Sequence, residues 1–315
     1  MKQFIFIFSI LFLLSCDDII TVELDDPQQA IIIDAWLTHT AEDQHIHVTR
    51  SQPYFENEFP TKISGASVFV IDSIGIPYIF EETAEGYTWA NNTGQPFGTI
   101  GDYYALVVNV DGEQFNSWTQ LKRVPSVDSI KFTYEPADNF ITSPFYIAEF
   151  VATDPVGPGD TYWIKTWKNG QQLNKPSELN YVFDAGGSEG NIVDGQVFIQ
   201  PVQNAINPFD ENPDEENTFL PPYSVDDSVY VEIHSISPIA YYFLLEVSIQ
   251  TNRDGGFAAL FAQPVANVST NIFNANENSK VRAYGFFNVA AVSSLGQRLS
   301  PEIAAEAKRL YDEEL

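Results

Sequence analysis

Cysteine, methionine and basic residues are scarce in this sequence of 315 residues, and each scarcity excludes a class of protein. The chain has one Cys and one Met, and 15 Lys and Arg stand against 43 Asp and Glu, a formal net charge of −28. A single cysteine excludes disulfide frameworks, thiolate zinc sites and iron–sulfur clusters, because each needs several thiols. The acidity argues against nucleic-acid binding, because binding phosphates requires clustered cations.

The first 15 residues have the pattern of a signal peptide. Lys2 supplies a positive charge, and residues 4–14 form an almost unbroken apolar run. That run is shorter than the roughly 20 residues of a membrane-spanning helix, but it fits the core of a secretory signal. Ser15 then precedes Cys16, which is the pattern of a bacterial lipoprotein cleavage site. We therefore expect a covalent lipid with acyl chains such as palmitate on Cys16. The alternative is an ordinary cleaved signal with an incidental cysteine.

Residues 16–29 are predicted to form a flexible, acidic tether. Asp17 and Asp18 follow the cysteine directly, and the polar stretch continues to Gln29. Such a segment buries too little apolar surface to fold alone. Acidic residues just after a lipidated cysteine resemble the export signal for the outer face of the outer membrane in Bacteroidota. The expected location is therefore the outer membrane, with the protein facing the cell exterior.

The rest of the chain is predicted to be mainly β, as two β-sandwich domains of immunoglobulin-like or transthyretin-like type. Short runs rich in Val, Ile, Tyr, Phe and Trp alternate with turn residues throughout. Asp111-Gly112 between two such runs predicts a hairpin, because glycine accepts a positive φ. The predicted domains cover residues 30–122 and 126–294, with Pro125 near the boundary.

Two helices are predicted within this β-rich chain. Ser237 and Pro238 form an N-cap and first helical residue for a helix near 238–253, inserted in the second domain. Ser300 and Pro301 repeat that pattern for an amphipathic C-terminal helix over 300–315. Its apolar stripe must pack either on the body of the protein or on a partner. The candidate partner-binding residues are Ile303, Ala307, Leu310 and Tyr311.

Motifs for metal binding are incomplete in this sequence. Asp210, Asn212 and Asp214 have the one-three-five spacing of a calcium loop, but the sixth and twelfth positions do not fit the EF-hand pattern. Weak calcium binding by this loop is the expectation that remains, against a solvated acidic loop. His45 and His47 alternate on one predicted strand face, yet too few further ligands exist to complete a zinc site. No resident cofactor or structural metal is predicted.

Motifs for catalysis are equally sparse, so we expect no enzyme. Gly186-Gly187-Ser188-Glu189-Gly190 fits the G-x-S-x-G nucleophile pattern, which has meaning only between a strand and a helix. His234 is the one histidine after Ser188. A glycine-rich turn explains the pattern better, and a hydrolase is the lesser alternative.

Trp36, Trp89 and Trp118 lie in predicted strands, where core or sheet-face roles are expected before sugar or peptide binding.

Several segments together resemble a Bacteroidota lipoprotein family known as domain of unknown function 4249. The resemblance covers roughly residues 16–294 in the right order. Its segments are residues 32–38, 50–55, 63–68, 98–104, 127–130, 237–250, 256–257 and 283–289. The chain departs from the family at Asp34-Ala35, where Glu-Gly is common, and in the helix at 300–315, which lies beyond the usual end.

The resemblance implies a partner rather than an activity. Lipoproteins of this kind are encoded beside TonB-dependent-receptor-like barrels, so the expected function is that of a non-catalytic accessory subunit. It would help such a barrel to capture substrate, or it would cover the barrel. The alternative is a structural or assembly subunit of an outer-membrane machine that contacts only protein. The family implies no catalytic residues.

Overall fold

The structure is a computed structural model, and it describes residues 29–52, 59–190, 193–253 and 265–314. The predicted signal peptide, Cys16 and nearly all of the predicted tether lie outside these residues. Within the described ranges, no helix is both long enough and apolar enough to cross a bilayer.

The predicted fold class is confirmed, because the described chain is mainly β with few helices. Short turns link most of the strands into antiparallel pairs. The strands are β1 Ile31–Thr38, β2 Gln44–Arg50, β3 Ser67–Asp72, β4 Pro77–Glu82, β5 Tyr87–Trp89, β6 Tyr103–Val110, β7 Glu113–Gln120, β8 Val127–Glu135, β9 Phe145–Ala152, β10 Thr161–Lys168, β11 Gln171–Leu173, β12 Asn180–Phe183, β13 Ser228–Ile236, β14 Phe273–Asn274, β15 Ala283–Ala290 and β16 Val292–Arg298. The helices are a 3-10 turn at Pro176–Glu178, α1 Gln200–Asn204, α2 Pro238–Thr251 and α3 Pro301–Glu314.

The first sheet has nine strands and is nearly closed on itself. Its order is β14-β7-β6-β3-β4-β5-β2-β1-β15, and every pair is antiparallel except β1 with β15. Alternate residues of each strand point inward, as the period of two in a strand requires. In β1 these are Ile31, Ile33, Ala35 and Leu37, all at most 2% exposed. The inward residues form one apolar core.

One asparagine helps to close the gap between the two edges of this sheet. The Asn271 side chain donates to the Phe287 carbonyl oxygen (2.8 Å) and accepts from the Phe287 amide (2.9 Å). It thus makes the bonds to β15 that a neighbouring strand would make. Two residues later β14 begins and pairs with β7, with Phe273 opposite Asn116. Residues 271–274 therefore join one edge of the sheet to the other.

The second core lies between a sheet of order β11-β10-β13-β16 and the hairpin of β8 and β9, with β12 pairing to β10. Tyr162, Ile164, Val231 and Ile233 enter this core from β10 and β13. The C-terminal helix α3 covers its end, where Ala304 is 3% exposed. The two sheets of this part are sandwich-like, as expected.

The two parts are joined where β15 leaves the first sheet and β16 enters the second. Ser235 on β13 donates its amide to the Ala291 carbonyl (2.9 Å) and its hydroxyl to the Lys122 carbonyl (2.9 Å), and it accepts from the Ala291 amide (2.8 Å). The fully buried Asn288 of β15 accepts from the Ser237 amide (3.1 Å) and donates to the Ser235 carbonyl (3.4 Å). Side chains of one part thus satisfy backbone groups of the other.

Sheet membership differs from the division of the chain that the sequence led us to expect. We expected residues 126–294 to form the second domain, but β14 and β15 pair within the first sheet. The physical reason is the parallel pairing of β15 with β1. This contact joins segments that are distant in sequence, so no local pattern predicts it. The chain therefore passes from the first part to the second, returns to the first with β14 and β15, and enters the second again with β16. The exact domain bounds stay a prediction.

Both predicted helices are present, at α2 and α3. The Ser237 hydroxyl accepts from the Ala240 amide (3.2 Å), which is the predicted N-cap of α2. The Ser300 hydroxyl accepts from the Ile303 amide (3.3 Å) at the start of α3. The short helix α1 was not predicted, since five residues give too little periodicity to be recognised.

Gly285 of β15 is predicted to be the most sensitive glycine of the first sheet. Its φ is +99°, and a Cβ there would lie 2.0 Å from the Ile33 carbonyl oxygen of β1. Gly285→Ala should lower the free energy of unfolding by more than about 3 kcal/mol, because positive-φ strain adds to the backbone clash. Chemical denaturation would measure the change.

The matched control for that substitution is Gly112→Ala. Gly112 also has a positive φ, +80°, but a Cβ there meets nothing within 4 Å. It should lose only about 1–2 kcal/mol, the cost of the left-handed conformation itself. Equal losses for the two variants would contradict the role assigned to the close approach of β15 to β1.

Candidate functional site

The predicted calcium loop uses its polar side chains within the protein. Asp210 forms an ion pair with Lys175. The Asn212 side-chain oxygen accepts a hydrogen bond from the Asp214 amide (3.0 Å). This bond stabilises a turn, so that oxygen already has a partner within the loop. Calcium binding by this loop stays a prediction, and the ammonium of Lys175 competes with a cation at Asp210.

Another set of carboxylates, which the sequence analysis missed, lies together in the second part. Oxygens of Asp154, Asp184 and Asp194 all lie within 4.8 Å of one another. Asp154 is 2% exposed and Asp184 5%. Oxygen ligands of this kind suit a hard cation such as calcium. These residues are far apart in sequence, so no motif links them. Two of them share one feature that the sequence could have shown: Asp154 and Asp184 each come within two residues after the end of a strand.

Hydrogen bonds already stabilise these three carboxylates. The Tyr162 hydroxyl (2.6 Å) and the Gly195 amide (3.1 Å) donate to Asp154. The Gly159 and Asp160 amides donate to Asp184, at 2.8 and 2.9 Å, and the Gly157 amide donates to Asp194 at 2.9 Å. Burial raises the pKa of Asp154, and the hydrogen bond from Tyr162 partly offsets that rise. The three carboxylates therefore anchor the loops around them through these bonds.

His45 and His47 lie side by side on the exposed face of β2, as predicted. The Nδ1 atom of His45 lies 3.0 Å from the Thr88 hydroxyl oxygen, and that of His47 lies 2.9 Å from the Glu85 carbonyl oxygen. Both rings are thus tied to the turn and strand at residues 85–88. The described residues that could hold a metal as a group of three do not include them.

The G-x-S-x-G segment lacks the strand–turn–helix setting that gives the motif its catalytic meaning. Ser188 lies in a turn after β12, and the next helix, α1, begins only at Gln200. His234 is 5% exposed, and its Nε2 atom lies 2.7 Å from a Glu232 carboxylate oxygen. Burial lowers the pKa of His234, and the hydrogen bond to Glu232 opposes that effect. A buried histidine that is hydrogen-bonded to a carboxylate in this way is better explained by a structural role than by a catalytic one.

The C-terminal helix α3 places three of its four candidate partner residues against the body of the protein. Ile303 packs on the second core, Ala307 is 7% exposed, and the Tyr311 ring meets the Tyr134 ring edge-on at 5.2 Å between centroids. Leu310 is 49% exposed and remains available to a partner. Partner binding by this helix stays a prediction that now rests on Leu310.

The three tryptophans of the predicted strands occupy different surroundings. Trp89 packs against the first core beside Phe97 (5.3 Å between centroids). Trp36 lies at the junction of the two parts. Trp118 is 65% exposed and stacks on Phe273 of β14 at 5.7 Å, so it is a sheet-face residue.

Trp118 belongs to a wide, uncharged area that we call the neutral face. The pairing registers of β14, β7, β6, β3 and β4 bring its side chains into adjacent rows on the outer side of the first sheet. Its large apolar side chains Phe273, Tyr103, Ile79 and Trp118 are 53–65% exposed. Its members are Phe273, Gln114, Asn116, Trp118, Gln120, Tyr103, Ala105, Val107, Asn109, Ser67, Phe69, Ile71, Pro77 and Ile79. The exposed Glu81, the next outward residue of β4, borders the face at this end.

The absence of charge on the neutral face is informative in this chain. Charged residues make up 18% of the sequence and concentrate on surfaces, so an outer sheet face of this size would ordinarily carry several. Depletion of charge together with enrichment in aromatic residues is the compositional mark of the core of a protein interface. Within the described part of the chain, the neutral face therefore has the composition of a surface that is buried against another protein.

Comparison with known proteins identifies the family. The family model described as Domain of unknown function (DUF4249) matches residues 17–295. The chain belongs to this family. No curated protein matches it. The match ends inside β16, so it spans the first part and nearly all of the second, whereas helix α3 lies beyond it.

The buried carboxylates of this DUF4249 protein make a testable contribution to stability. Tyr162→Phe removes the hydroxyl that donates to Asp154 and should cost about 1–3 kcal/mol of unfolding free energy at pH 7. The hydroxyl favours the charged carboxylate, so the loss should shrink as the pH falls through the raised pKa of Asp154. Urea denaturation at several pH values between 4 and 7 would measure it.

Tyr223→Phe is the control for that pH dependence. The buried Tyr223 hydroxyl donates to the neutral Ile206 carbonyl oxygen (2.7 Å). Its removal should cost about 0.5–1.5 kcal/mol at every pH in that range. A loss at Tyr162 that is equally independent of pH would contradict an ionised Asp154.

Proposed function

We propose that this DUF4249 protein is a lipid-anchored outer-membrane lipoprotein that serves as a non-catalytic accessory subunit of a TonB-dependent-receptor-like barrel. Cys16 would carry the anchor, and residues 16–29 would tether the β-rich body outside the cell. The role is substrate capture for the barrel or a cover over it. The observation that supports a subunit role is the neutral face.

The neutral face favours a protein as its occupant. Ile79, Ile71, Val107 and Phe69 offer aliphatic and aromatic carbon for burial, while the amides around Trp118 can pair with backbone groups at the rim. A net charge of −28 opposes approach to anionic headgroups, which disfavours a lipid surface as the occupant. The proposed occupant is an uncharged, aromatic-rich surface of the barrel subunit.

A short tether makes that contact effective. A protein and a barrel held in the same membrane meet at high effective concentration, so an interface of moderate area suffices. The rigid β body then fixes how the subunit sits against the barrel. No catalytic group is needed for either role.

The test is purification of the natively lipidated, tagged protein from outer membranes in mild detergent, with mass spectrometry of what accompanies it. Near-equal recovery of a TonB-dependent-type barrel would support the proposal. A variant with Trp118→Glu and Ile79→Glu should lose that barrel roughly tenfold or more, because it buries unpaired charge in the interface. Both positions are exposed, so folding should be unaffected.

Leu310→Glu on α3 is the matched control for each of the two substitutions made singly, since it adds the same single negative charge to an exposed apolar position elsewhere. It should leave recovery of the barrel unchanged. Loss of the barrel with Leu310→Glu alone would move the contact to the C-terminal helix. Recovery of several envelope proteins without a barrel would favour the alternative, a structural or assembly subunit of an outer-membrane machine.

A further inference from the structure

Strands β4 and β5 of the first sheet pair along only part of their length. Glu81 lies opposite Thr88, and toward the start of β4 the pairing ends there, while β5 remains paired with β2. An opening therefore separates residues 77–80 of β4 from residues 89–92. A cavity of about 300 Å³ lies in this opening, which we call the β4 gap.

The backbone of Ile79 points into the β4 gap, away from β3. Hydrogen-bonded pairs alternate with non-bonded pairs along an antiparallel ladder. At the turn between β3 and β4, the Asp72 amide bonds to the Ile76 carbonyl oxygen (3.1 Å). Counted from that pair, Tyr78 and Phe80 bond to β3, whereas Ile79 between them does not.

The ladder between β4 and β5 leads to the same orientation. The Thr83 amide bonds to the Gly86 carbonyl oxygen (2.8 Å), so the next residues of β4 that bond toward this side are Glu81 and then Ile79. Pro77 fits the pattern, because its missing N–H falls on the side that β3 does not use. Among the described residues, the Ile79 amide and its carbonyl oxygen have no hydrogen-bond partner.

The far wall of the gap is held away from β4 by its own hydrogen bonds. In a continued ladder Ala90 would lie opposite Ile79, but the Ala90 carbonyl oxygen accepts from the Asn92 amide instead (3.1 Å). The Asn91 amide bonds to the Asp43 carboxylate (2.8 Å). These bonds satisfy the wall without β4.

Aromatic rings fill the space beneath the gap. The rings of Tyr78, Trp89 and Phe97 lie with their centroids 4.5–5.5 Å apart. Tyr78 and Trp89 pack against the first core, and Phe97 is fully buried within it. Because closing the gap would displace these rings, the opening is a built feature of the sheet.

The chemistry of the gap indicates what occupies it. A free N–H and C=O at a strand edge form a template for another extended backbone. The Ile79 side chain is 63% exposed and offers apolar surface beside these groups. Glu81 is the one charged residue among those that line the gap, and it favours a basic occupant. A second copy of this chain is disfavoured, because two bodies of net charge −28 repel each other.

We propose that the β4 gap binds an extended, basic segment of another protein, which adds to β4 as a short antiparallel strand. The Ile79 amide and carbonyl oxygen bond to one residue of that segment, in the place that β5 leaves free. An aliphatic side chain of the segment packs beside the Ile79 side chain. A lysine or arginine at the narrow end of the gap pairs with the Glu81 carboxylate.

Hydrogen exchange of the folded, full-length protein, resolved to single amides by mass spectrometry, tests this inference. Without a ligand, the Ile79 amide should exchange at least about tenfold faster than those of Tyr78 and Phe80, which bond to β3. The probe is an acetylated and amidated pentapeptide of lysine, threonine, valine, threonine and valine, in that order. At about 10 mM it should slow exchange at Ile79 at least about threefold.

Two altered peptides separate backbone pairing from other contacts. The first carries a methyl group on the nitrogen of its central valine, so it cannot donate to the Ile79 carbonyl oxygen. The second has glutamate in place of lysine and is repelled by Glu81. Neither peptide should slow exchange at Ile79.

Two variants of the protein provide a matched pair. Ile79→Ala and Ile79→Pro both remove the isoleucine side chain, but only proline removes the N–H. Isothermal titration calorimetry should show that Ile79→Pro binds the peptide at least about tenfold more weakly than Ile79→Ala. The two variants should have the same midpoint of urea denaturation, since β3 does not use that N–H.

Three results would overturn the inference: unchanged exchange at Ile79 with the first peptide, equal slowing by the methylated peptide, or unfolding of Ile79→Pro, which would show that the fold uses its N–H. The inference goes beyond the proposed function, because no part of it uses the anchor or the barrel. Peptide binding by a protein that purifies without a barrel would support it while the accessory role failed.

Discussion

The parallel pairing of β15 with β1 is the interaction on which the rest of this structure depends. It adds the last strand to the first sheet, with Gly285 opposite Ile33, and it brings that edge back beside β7. One residue after β15 the chain enters β16 and the second sheet. Because a single strand both completes one sheet and leads into the other, the orientation of the two parts is fixed by backbone pairing. Asn288 and Ser235 then bond across the junction with side chains that water cannot reach.

The charged residues of this protein are unevenly distributed over its surface. An excess of 28 negative charges keeps most of the body solvated and disfavours unspecific contacts. Against this background the neutral face is an exception, and its composition suits a protein partner.

Local signals in the sequence predicted local structure well. Asp111-Gly112 predicted a hairpin, and both residues have positive φ between β6 and β7. Ser237 and Pro238 predicted the start of α2, because a cap depends on three neighbouring residues. The membership of β15 in the first sheet, the grouping of Asp154 with Asp184, and the neutral face were not predictable in this way. Each depends on the register between segments separated by tens of residues, and a strand pattern gives the face of a residue but not its neighbours.

Several contacts across the junction hold the two parts in one arrangement. The side chains of Asn288 and Ser235 bond to backbone groups across it, and Trp36 of β1 stacks on Phe286 of β15 while its edge meets Trp163 of β10. A partner that binds the first sheet therefore meets a preorganised body, which lowers the conformational cost of association.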